Sequence, residues 1–487
     1  MHGPNFGRQD RTERLARPTR ERSVTRGCAM FTRRSAGWLL VGLTSAAVLA
    51  GCAGGTTASE RPSASASPSA TPAAVVPTPA VPTASVAGTT PPASVIPALA
   101  WQIGSIPPIL KDQAPAPAAV GGGDHGFVVV GGRVFRDTEA PSGGMASAWH
   151  SGDGLAWEPA TADQGLAVGE TIPIDDYPDP GLTDVAWGPA GFVAVGLTTP
   201  PDPRGGSARY SSDGKTWTRT ELADAARSWP AAVTWNGSTY VIVGVARAEG
   251  TPRAAAWLST DGRSWRRVPD GEAFDIGGYV TYPSAYNSGG PVDVVTTAEG
   301  SLVAVGRTCT ATSTMEEQTT CRPLVLQSVD GEAWTRTLVP GDAGAVLTSV
   351  AATSGRIVAL ANGAGETGDR ARLLVSGDAG WRLVEPAGVP ALTRISAFGD
   401  RFLAVSTIGN RIRLWASIDG ATWAEVPGIH RPIIDPGWEP QMQALSDVDI
   451  ATAGNRVVVV GRNQADPTGI TAFSIVGTPS ATSTRAP

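Results

Sequence analysis

Cysteine and histidine are scarce in this chain of 487 residues, which contains four of each. No two cysteines stand at the Cys-x-x-Cys spacing of a zinc site, and only three histidines lie beyond residue 51. Zinc sites are built from such ligands at short, regular spacings. The sequence therefore predicts neither a metal site nor a cofactor.

Basic charge is also in short supply once the N-terminal region is set aside. The first 51 residues carry nine Arg and three acidic residues, a net +6, so the rest of a chain with net charge −6 carries −12. Binding to nucleic acid depends on clusters of Lys and Arg against the phosphates. We therefore expect no nucleic-acid partner.

No apolar run is long enough to span a membrane comfortably as a helix. Residues 35–50 are apolar and follow the pair Arg33-Arg34, as in the basic and hydrophobic regions of a signal peptide. The residues after Arg33-Arg34 match the twin-arginine motif poorly, and the export route stays open between the general secretory and twin-arginine systems. Residues 1–29 are polar and lack hydrophobic periodicity, so Met30 is an alternative start.

The stretch Leu49-Ala50-Gly51-Cys52 resembles the lipobox of bacterial lipoproteins. The resemblance implies cleavage after a leader of residues 1–51, a lipid on the Cys52 sulfur and attachment to the membrane on its extracytoplasmic side. An ordinary signal peptide with a chance cysteine is the alternative.

Residues 53–98 consist almost entirely of Ala, Pro, Ser, Thr, Val and Gly, with Glu60 and Arg61 as the only charges. Such a composition cannot bury a core and predicts a disordered segment. At about 3.1 Å per residue it would reach roughly 140 Å. Residues 52–99 are thus predicted to be a lipid-bearing tether.

One motif, Ser-x-Asp-Gly-x-x-Trp, recurs through the rest of the chain. Its five copies are residues 151–157, 211–217, 259–265, 328–334 and 417–423, and residues 376–381 are an imperfect sixth. Asp-Gly between two apolar runs is a strong hairpin signal, because Gly tolerates positive φ and Asp hydrogen-bonds within its own turn. Each copy therefore predicts a braced β-hairpin with a Trp at the start of its outgoing strand.

These copies resemble the Asp-box, or BNR, repeat of sialidases and other β-propellers. The resemblance covers roughly residues 101–478, although the turn is one residue shorter than the family pattern and Thr precedes Trp only at Thr216 and Thr422. It implies a propeller in which the box aspartates are structural. These are Asp153, Asp213, Asp261, Asp330, Asp378 and Asp419.

Two apolar runs precede each motif, so each unit reads as four strands, A to D, with the motif at the C–D turn. The spacing between successive motif tryptophans is 42 to 69 residues. Short apolar, β-branched runs bounded by Gly indicate strands, and four-stranded units at this period are typical of propeller blades.

The two ends of the repeat region predict how the ring closes. Residues 448–476 supply strands A, B and C of a further blade but no motif, whereas Ala100-Trp101-Gln102-Ile103 looks like an isolated strand D. Pairing the two removes free sheet edges. We predict an all-β, seven-bladed propeller of four-stranded antiparallel blades over residues 100–478, closed by an N-terminal strand and followed by a polar tail, 479–487.

Cys309 and Cys321 fall in the B–C connection of the fourth blade. An exported protein meets an oxidising environment, which favours a disulfide between them. A pair of free thiols is the alternative.

Three long D–A connections carry aromatic and acidic residues. Loops on a rigid scaffold are where binding residues concentrate, although these loops could equally pack over the disc as filler. The candidate ligand site comprises Asp175, Asp176, Tyr177, Tyr279, Tyr282, Tyr286, His430, Trp438 and Glu439.

These features favour a membrane-anchored, extracytoplasmic module that binds a glycan, peptide or protein. The alternative is a sialidase-like glycoside hydrolase, but the sequence lacks that family's Arg-Ile-Pro signature, and Asp175 and Asp176 are adjacent rather than an opposed acid/base pair. A role like that of the BNR-repeat proteins of photosystem assembly would rest on fold analogy alone. The sequence therefore leaves catalysis open and favours binding.

Overall fold

The computed structural model divides the chain into two units, Met1–Ser85 and Val86–Pro487. The residues it describes all belong to the second unit. They are 98–109, 113–135, 146–161, 181–196, 206–223, 228–248, 251–277, 289–311, 319–340, 345–363, 370–407, 411–429, 448–463 and 471–480. No helix among them is long and apolar enough to cross a membrane.

Seven four-stranded antiparallel sheets form a ring, which confirms the predicted fold class. Blade 1 consists of β2 (Gln113–Gly123), β3 (Gly126–Phe135), β4 (Ser147–Ser151) and β5 (Glu158–Pro159). Blade 2 consists of β6 (Leu182–Gly188), β7 (Gly191–Gly196), β8 (Ser207–Ser211) and β9 (Thr218–Glu221). Blade 3 consists of β10 (Ser228–Trp235), β11 (Tyr240–Ala248), β12 (Thr251–Ser259) and β13 (Arg266–Arg267), with a 3-10 turn at Glu272–Phe274.

The remaining blades follow the same order. Blade 4 consists of β14 (Gly290–Thr296), β15 (Leu302–Ala311), β16 (Thr319–Ser328) and β17 (Trp334–Thr337). Blade 5 consists of β18 (Ala345–Ala352), β19 (Ile357–Gly363), β20 (Leu373–Gly377) and β21 (Gly380–Val384). Blade 6 consists of β22 (Arg394–Phe398), β23 (Arg401–Ser406), β24 (Arg413–Ser417) and β25 (Ala424–Val426). Blade 7 consists of β26 (Asp449–Ala453), β27 (Arg456–Asn463), β28 (Thr471–Pro479) and β1 (Leu99–Ile106).

The ring closes as the sequence predicts. Strand β1 from the N-terminal side pairs antiparallel with β28, so that Trp101 lies opposite Gly477. The Trp101 indole N–H donates to the Pro427 carbonyl of blade 6 at 3.2 Å. The last blade is therefore assembled from both ends of the repeat region, and β1 covers the edge of β28 that would otherwise be unpaired.

The apolar core is divided among the contacts between blades. Seven clusters of buried side chains each join two neighbouring blades, and together they complete the circle. Each motif tryptophan packs back onto the preceding blade: Trp217 of blade 2, for example, lies in the cluster shared with blade 1. Trp101 packs on blade 6 in the same way. Burial of apolar surface between blades is thus the main stabilising contribution.

The aspartate braces the turn in the same way in all five complete motifs, and in four of them the indole N–H donates to the motif's own Gly carbonyl, whereas that of Trp265 donates to the Thr220 hydroxyl at 3.2 Å. In the motif of blade 2, Asp213 Oδ1 accepts the N–H groups of Lys215 and Thr216, both at 2.8 Å, and the Ser211 hydroxyl accepts the N–H of Gly214 at 2.8 Å. The indole N–H of Trp217 donates to the Gly214 carbonyl at 2.9 Å. The carboxylate therefore satisfies turn donors that would otherwise need water.

The electrostatics of these carboxylates agree with that role. Burial pulls the pKa of Asp261 upward, but the N–H groups of Ser264 and Arg263 outweigh it and hold that pKa at about 2. In blade 5 the imperfect motif differs, because the Ser376 hydroxyl accepts the N–H of Ile357 at 2.7 Å instead. Asp378 there lies in a two-residue turn between Gly377 and Gly380.

The predicted disulfide is present. Cys309 and Cys321 are bonded across the β15–β16 hairpin of blade 4, where they face each other in the strand register. Both side chains are buried. The bond ties together the base of an extended B–C connection.

Candidate functional site

The innermost strand of every blade places one residue at the same level around the central channel. Each of these residues lies opposite a Val or Leu of strand B, at equivalent points in the strand pairing. We call this set the channel ring. From blade 1 to blade 7 it is Ala119, Asp184, Ala232, Asp293, Ser349, Arg394 and Asp449.

A β-bulge precedes the ring residue in blades 1 to 5. The bulged residues are Ala118, Thr183, Ala231, Val292 and Thr348. A bulge bends the strand and re-aims the side chains beside it. In blades 1 to 4 the bent strand A runs so close to strand B that only Gly fits at the facing position of strand B. A Cβ on Gly306, for example, would lie 2.0 Å from the Gly290 carbonyl oxygen. This explains why so many of the B-strand runs end in Val-Gly.

The three ring carboxylates connect neighbouring blades. Asp184 accepts the N–H of Val185 in its own blade at 2.8 Å and that of Val233 in blade 3 at 2.7 Å. Asp293 bonds in the same way to Val294 at 2.7 Å and to Val350 of blade 5 at 2.8 Å.

Two further ring residues extend the pattern. Asp449 of blade 7 accepts the N–H of Val120 in blade 1 at 2.8 Å, and the Ser349 hydroxyl of blade 5 accepts that of Ile395 in blade 6 at 3.4 Å. These bonds satisfy backbone donors on strand edges that would otherwise face the channel.

Arg394 is the one cation of the ring. Its Nε lies 3.7 Å from Asp449 Oδ1, and its side chain remains 36% exposed. Burial raises the pKa of Asp449, and Arg394 together with backbone N–H groups opposes that rise. Burial likewise raises the pKa of Asp293 to about 6, again against hydrogen bonds and Arg394.

Asp184 has the most perturbed carboxyl of the three. Burial, followed by the charge of Asp293, raises its pKa to about 8, although the N–H groups of Val233 and Val185 favour the ionised form. Strongly shifted groups inside a cleft are common at functional sites.

The channel ring and the bulged residues line a cavity of about 150 Å³. Asp184 is the third residue of β6 and Asp293 the fourth of β14, so the cavity lies near the start of the innermost strands. That is the end of the channel from which the D–A and B–C connections emerge, opposite the motif turns. Within the described part of the chain, no three His, Cys, Asp or Glu side chains are placed to hold a metal ion.

The nine ligand-site residues predicted from the sequence lie outside the described residues, as does Cys52. Their role stays a prediction. The channel ring was not predicted. A signal for it was present, because an acid stands near the start of three otherwise apolar A-strand runs, at Asp184, Asp293 and Asp449.

No protein-family model and no curated protein matches this chain. Among solved structures it is similar to a protein of unknown function from Dyadobacter fermentans DSM 18053, with 15% identity, 79% of this chain and 100% of that chain covered, and a TM-score of 0.49. It is also similar to an endosialidase of phage phi92 (10% identity, 79% and 70% covered, TM-score 0.43) and to the polysaccharide lyase Uly1 (9%, 75% and 91%, 0.45). Likeness at this level assigns no activity to this chain.

Proposed function

We propose that this protein is a membrane-anchored, extracytoplasmic binding module whose glycan, peptide or protein ligand docks at the cavity end of the channel. The observation that carries the proposal is a charged, partly open cavity at the centre of a disc whose blade contacts are otherwise apolar. A concave site with a few convergent polar groups and shifted pKa values is the usual form of a ligand site. The motif turns, which we assign to the Asp-box repeat, serve the scaffold.

The bonding of the ring favours binding over hydrolysis. A glycoside hydrolase of the ordinary type needs one carboxyl that gives a proton and a second that acts as base or nucleophile. Asp184 and Asp293 each use both oxygens to accept backbone N–H groups. They are thus committed to holding the blades together and are not placed as the acid and base of a hydrolase.

The anchor is argued from Cys52 and the tether that follows it. A disulfide at Cys309–Cys321 agrees with folding in an oxidising compartment outside the cytoplasm. We expect the wild-type chain in the membrane fraction and the Cys52→Ala chain either released from it or left unprocessed. Wild-type protein that fractionates as a soluble, unlipidated chain would contradict the anchor.

The docking site is tested by blocking the cavity. Val292 lines it with 44% of its side chain exposed, whereas Val329 is 80% exposed on the opposite face. We expect glycan and peptide arrays to give ligands that the wild type and Val329→Trp bind equally and that Val292→Trp binds at least about tenfold more weakly, the effect of losing a central contact.

Assays of the same three proteins with fluorogenic glycosides distinguish the hydrolase alternative from binding. Turnover that is lost in Val292→Trp and kept in Val329→Trp would replace binding by hydrolysis as the function. Ligands that bind both tryptophan variants as well as the wild type would place the site elsewhere.

A further inference from the structure

Blades 5 and 6 enter their third strand, strand C, with the same short sequence, Arg-x-Arg-Leu. It covers residues 370–373 in blade 5 and residues 411–414 in blade 6. The second arginine of each pair faces the last residue of the apolar B-strand run, Ala361 in blade 5 and Ser406 in blade 6. The sequence thus places two arginines at equivalent points of neighbouring blades.

Blade 4 has an arginine at the first of these two points. In blade 4, Gly306 ends the B-strand run and lies opposite Leu324, so Arg322, two residues before Leu324, takes the position of the first arginine. We call the three equivalent residues the arginine row; they are Arg322, Arg370 and Arg411. They lie where the B–C connections lead into strand C, on the same face as the mouth of the cavity.

The side chains of the arginine row are available to a ligand. All three residues are exposed. Each of them lies in the described part of the chain, and none has a side-chain hydrogen bond or ion pair. A guanidinium offers five N–H donors in a planar fork that matches the two oxygens of a carboxylate.

The second arginine of each pair has a different role. Arg372 Nε lies 3.2 Å from Glu385 Oε1, and Arg413 Nε lies 3.9 Å from Glu425 Oε1. Each glutamate stands on the outer side of the same blade and compensates one arginine. The first arginine of each pair therefore remains as an uncompensated positive charge.

The basic surface continues from the row towards the channel. Arg394 of blade 6 lines the cavity, and its side chain is 36% exposed. This surface is unusual for the molecule, because the chain beyond residue 51 carries a net charge of −12. A local basic surface on an acidic protein attracts anionic partners to one place and leaves the rest of the molecule repelling them.

We infer that this surface binds an acidic polysaccharide, whose carboxylates contact the arginine row while its sugars run across blades 4 to 6 past the mouth of the cavity. This inference rests on the proposed function and names the chemical class of the ligand.

The rigid, repeated placement of the row favours a polysaccharide over an acidic polypeptide. One arginine projects from each blade, and next to Arg322 the disulfide of Cys321 fixes the backbone. A polyuronate chain is stiff and carries its carboxylates at regular intervals, so little conformational freedom is lost on binding to a regular row. A flexible acidic peptide would lose more, because its backbone and its glutamate side chains would have to be ordered.

The experiment is a calorimetric titration of the full chain with hexagalacturonate, hexamannuronate, the fully methyl-esterified forms of both, and hexaglutamate. At least one of the two uronates should bind, and more weakly as salt is added, because salt screens exposed charges. The methyl esters keep the sugars but lose the charges, and they should bind at least about tenfold more weakly. Hexaglutamate should also bind more weakly than that uronate.

Paired variants locate the effect. The double variant Arg370→Gln, Arg411→Gln should bind the uronate roughly 5- to 30-fold more weakly, the range expected for two exposed ion pairs. Replacement of both by Lys keeps the charge without the fork and should restore part of the affinity. The matched control is Arg356→Gln with Arg382→Gln, which removes two exposed arginines from the motif side of blade 5 and should leave binding unchanged.

Contrary results separate the inference from the function on which it rests. Failure of both uronates, equal binding of their methyl esters or of hexaglutamate, or equal losses in the two Gln double variants would overturn the inference. If an array ligand then still binds and is lost in Val292→Trp, only the acidic polysaccharide is wrong. If that ligand is also indifferent to Val292→Trp, the proposed function fails as well.

Discussion

Trp217→Ala should lower the free energy of unfolding by about 3–5 kcal/mol, the cost of truncating a large aromatic side chain in a packed core. Trp217 is fully buried between blades 1 and 2. Its removal would leave a cavity next to Phe192 and Val128 and would also free the Gly214 carbonyl. Urea unfolding followed by circular dichroism measures the loss without relying on the tryptophan signal.

Trp334→Ala is the matched control. Trp334 stands at the same position of the blade 4 motif and donates the same kind of hydrogen bond, to the Gly331 carbonyl at 2.8 Å, but its side chain is only partly buried. We expect a loss of about 1–2 kcal/mol, because less apolar surface leaves water there. Equal losses at the two positions would contradict the view that burial between blades contributes more to the free energy of unfolding than the hydrogen bond within the turn does.

The free energy of unfolding should also fall as the pH rises from about 5 to about 8. Burial raises the pKa of Asp184 to about 8 in the folded protein, against about 3.9 in an unfolded chain. The folded state therefore binds the proton more tightly, so this contribution is complete below about pH 4 and is lost as the pH rises through 8. Asp293, whose pKa burial raises to about 6, adds to the fall over the lower part of this range.

The motif aspartates do not obscure this change. The N–H groups of Ser264 and Arg263 outweigh burial and hold the pKa of Asp261 at about 2, so it stays ionised above pH 5 in both states. Because Asp184 borders a cavity open to water, we expect a loss of about 2–4 kcal/mol, less than its full pKa shift would give.

Unfolding free energies of wild type, Asp184→Asn and Glu299→Gln at pH 5, 6.5 and 8 test this expectation. Asp184→Asn should flatten most of the slope, and Glu299→Gln, which removes an exposed acid from the turn after β14, should keep it. A wild type that gains stability over this range, or an unchanged slope in Asp184→Asn, would show that Asp184 is ionised throughout.

The sequence could predict the blades because their signals are local. An Asp-Gly turn, its serine and its tryptophan are close together in the chain, and each copy forms its hydrogen bonds within a few residues. The closure of the ring could also be predicted. The strand that contains Trp101 has no motif before it, and residues 448–476 supply three strands of a blade that contain no tryptophan. Blade 5 shows where the local signal ends, because Ser376 bonds across to Ile357 once the motif is incomplete.

The channel ring is not local, and for that reason it could not be derived from the sequence. Its seven residues come from seven blades, and an acid in an apolar strand such as that at Asp184 fits an exposed position as well as an inward one. Only the strand register puts Ala119 and Ala232 on either side of it. Which carboxylate lies beside Arg394 is a property of the closed ring.

The central claim is that the cavity end of the channel is the binding site. Methyl spectra of a deuterated full chain labelled at the alanine methyl carbons test it most directly, because four alanines line the cavity and others, such as Ala333 and Ala421, lie in the motif turns. On titration with the tightest array ligand, we predict shifts at Ala118, Ala119, Ala231 and Ala232 and none at the motif turns. Shifts confined to Ala333, Ala421 or the outer strands, with the four cavity alanines unmoved at saturation, would contradict the account.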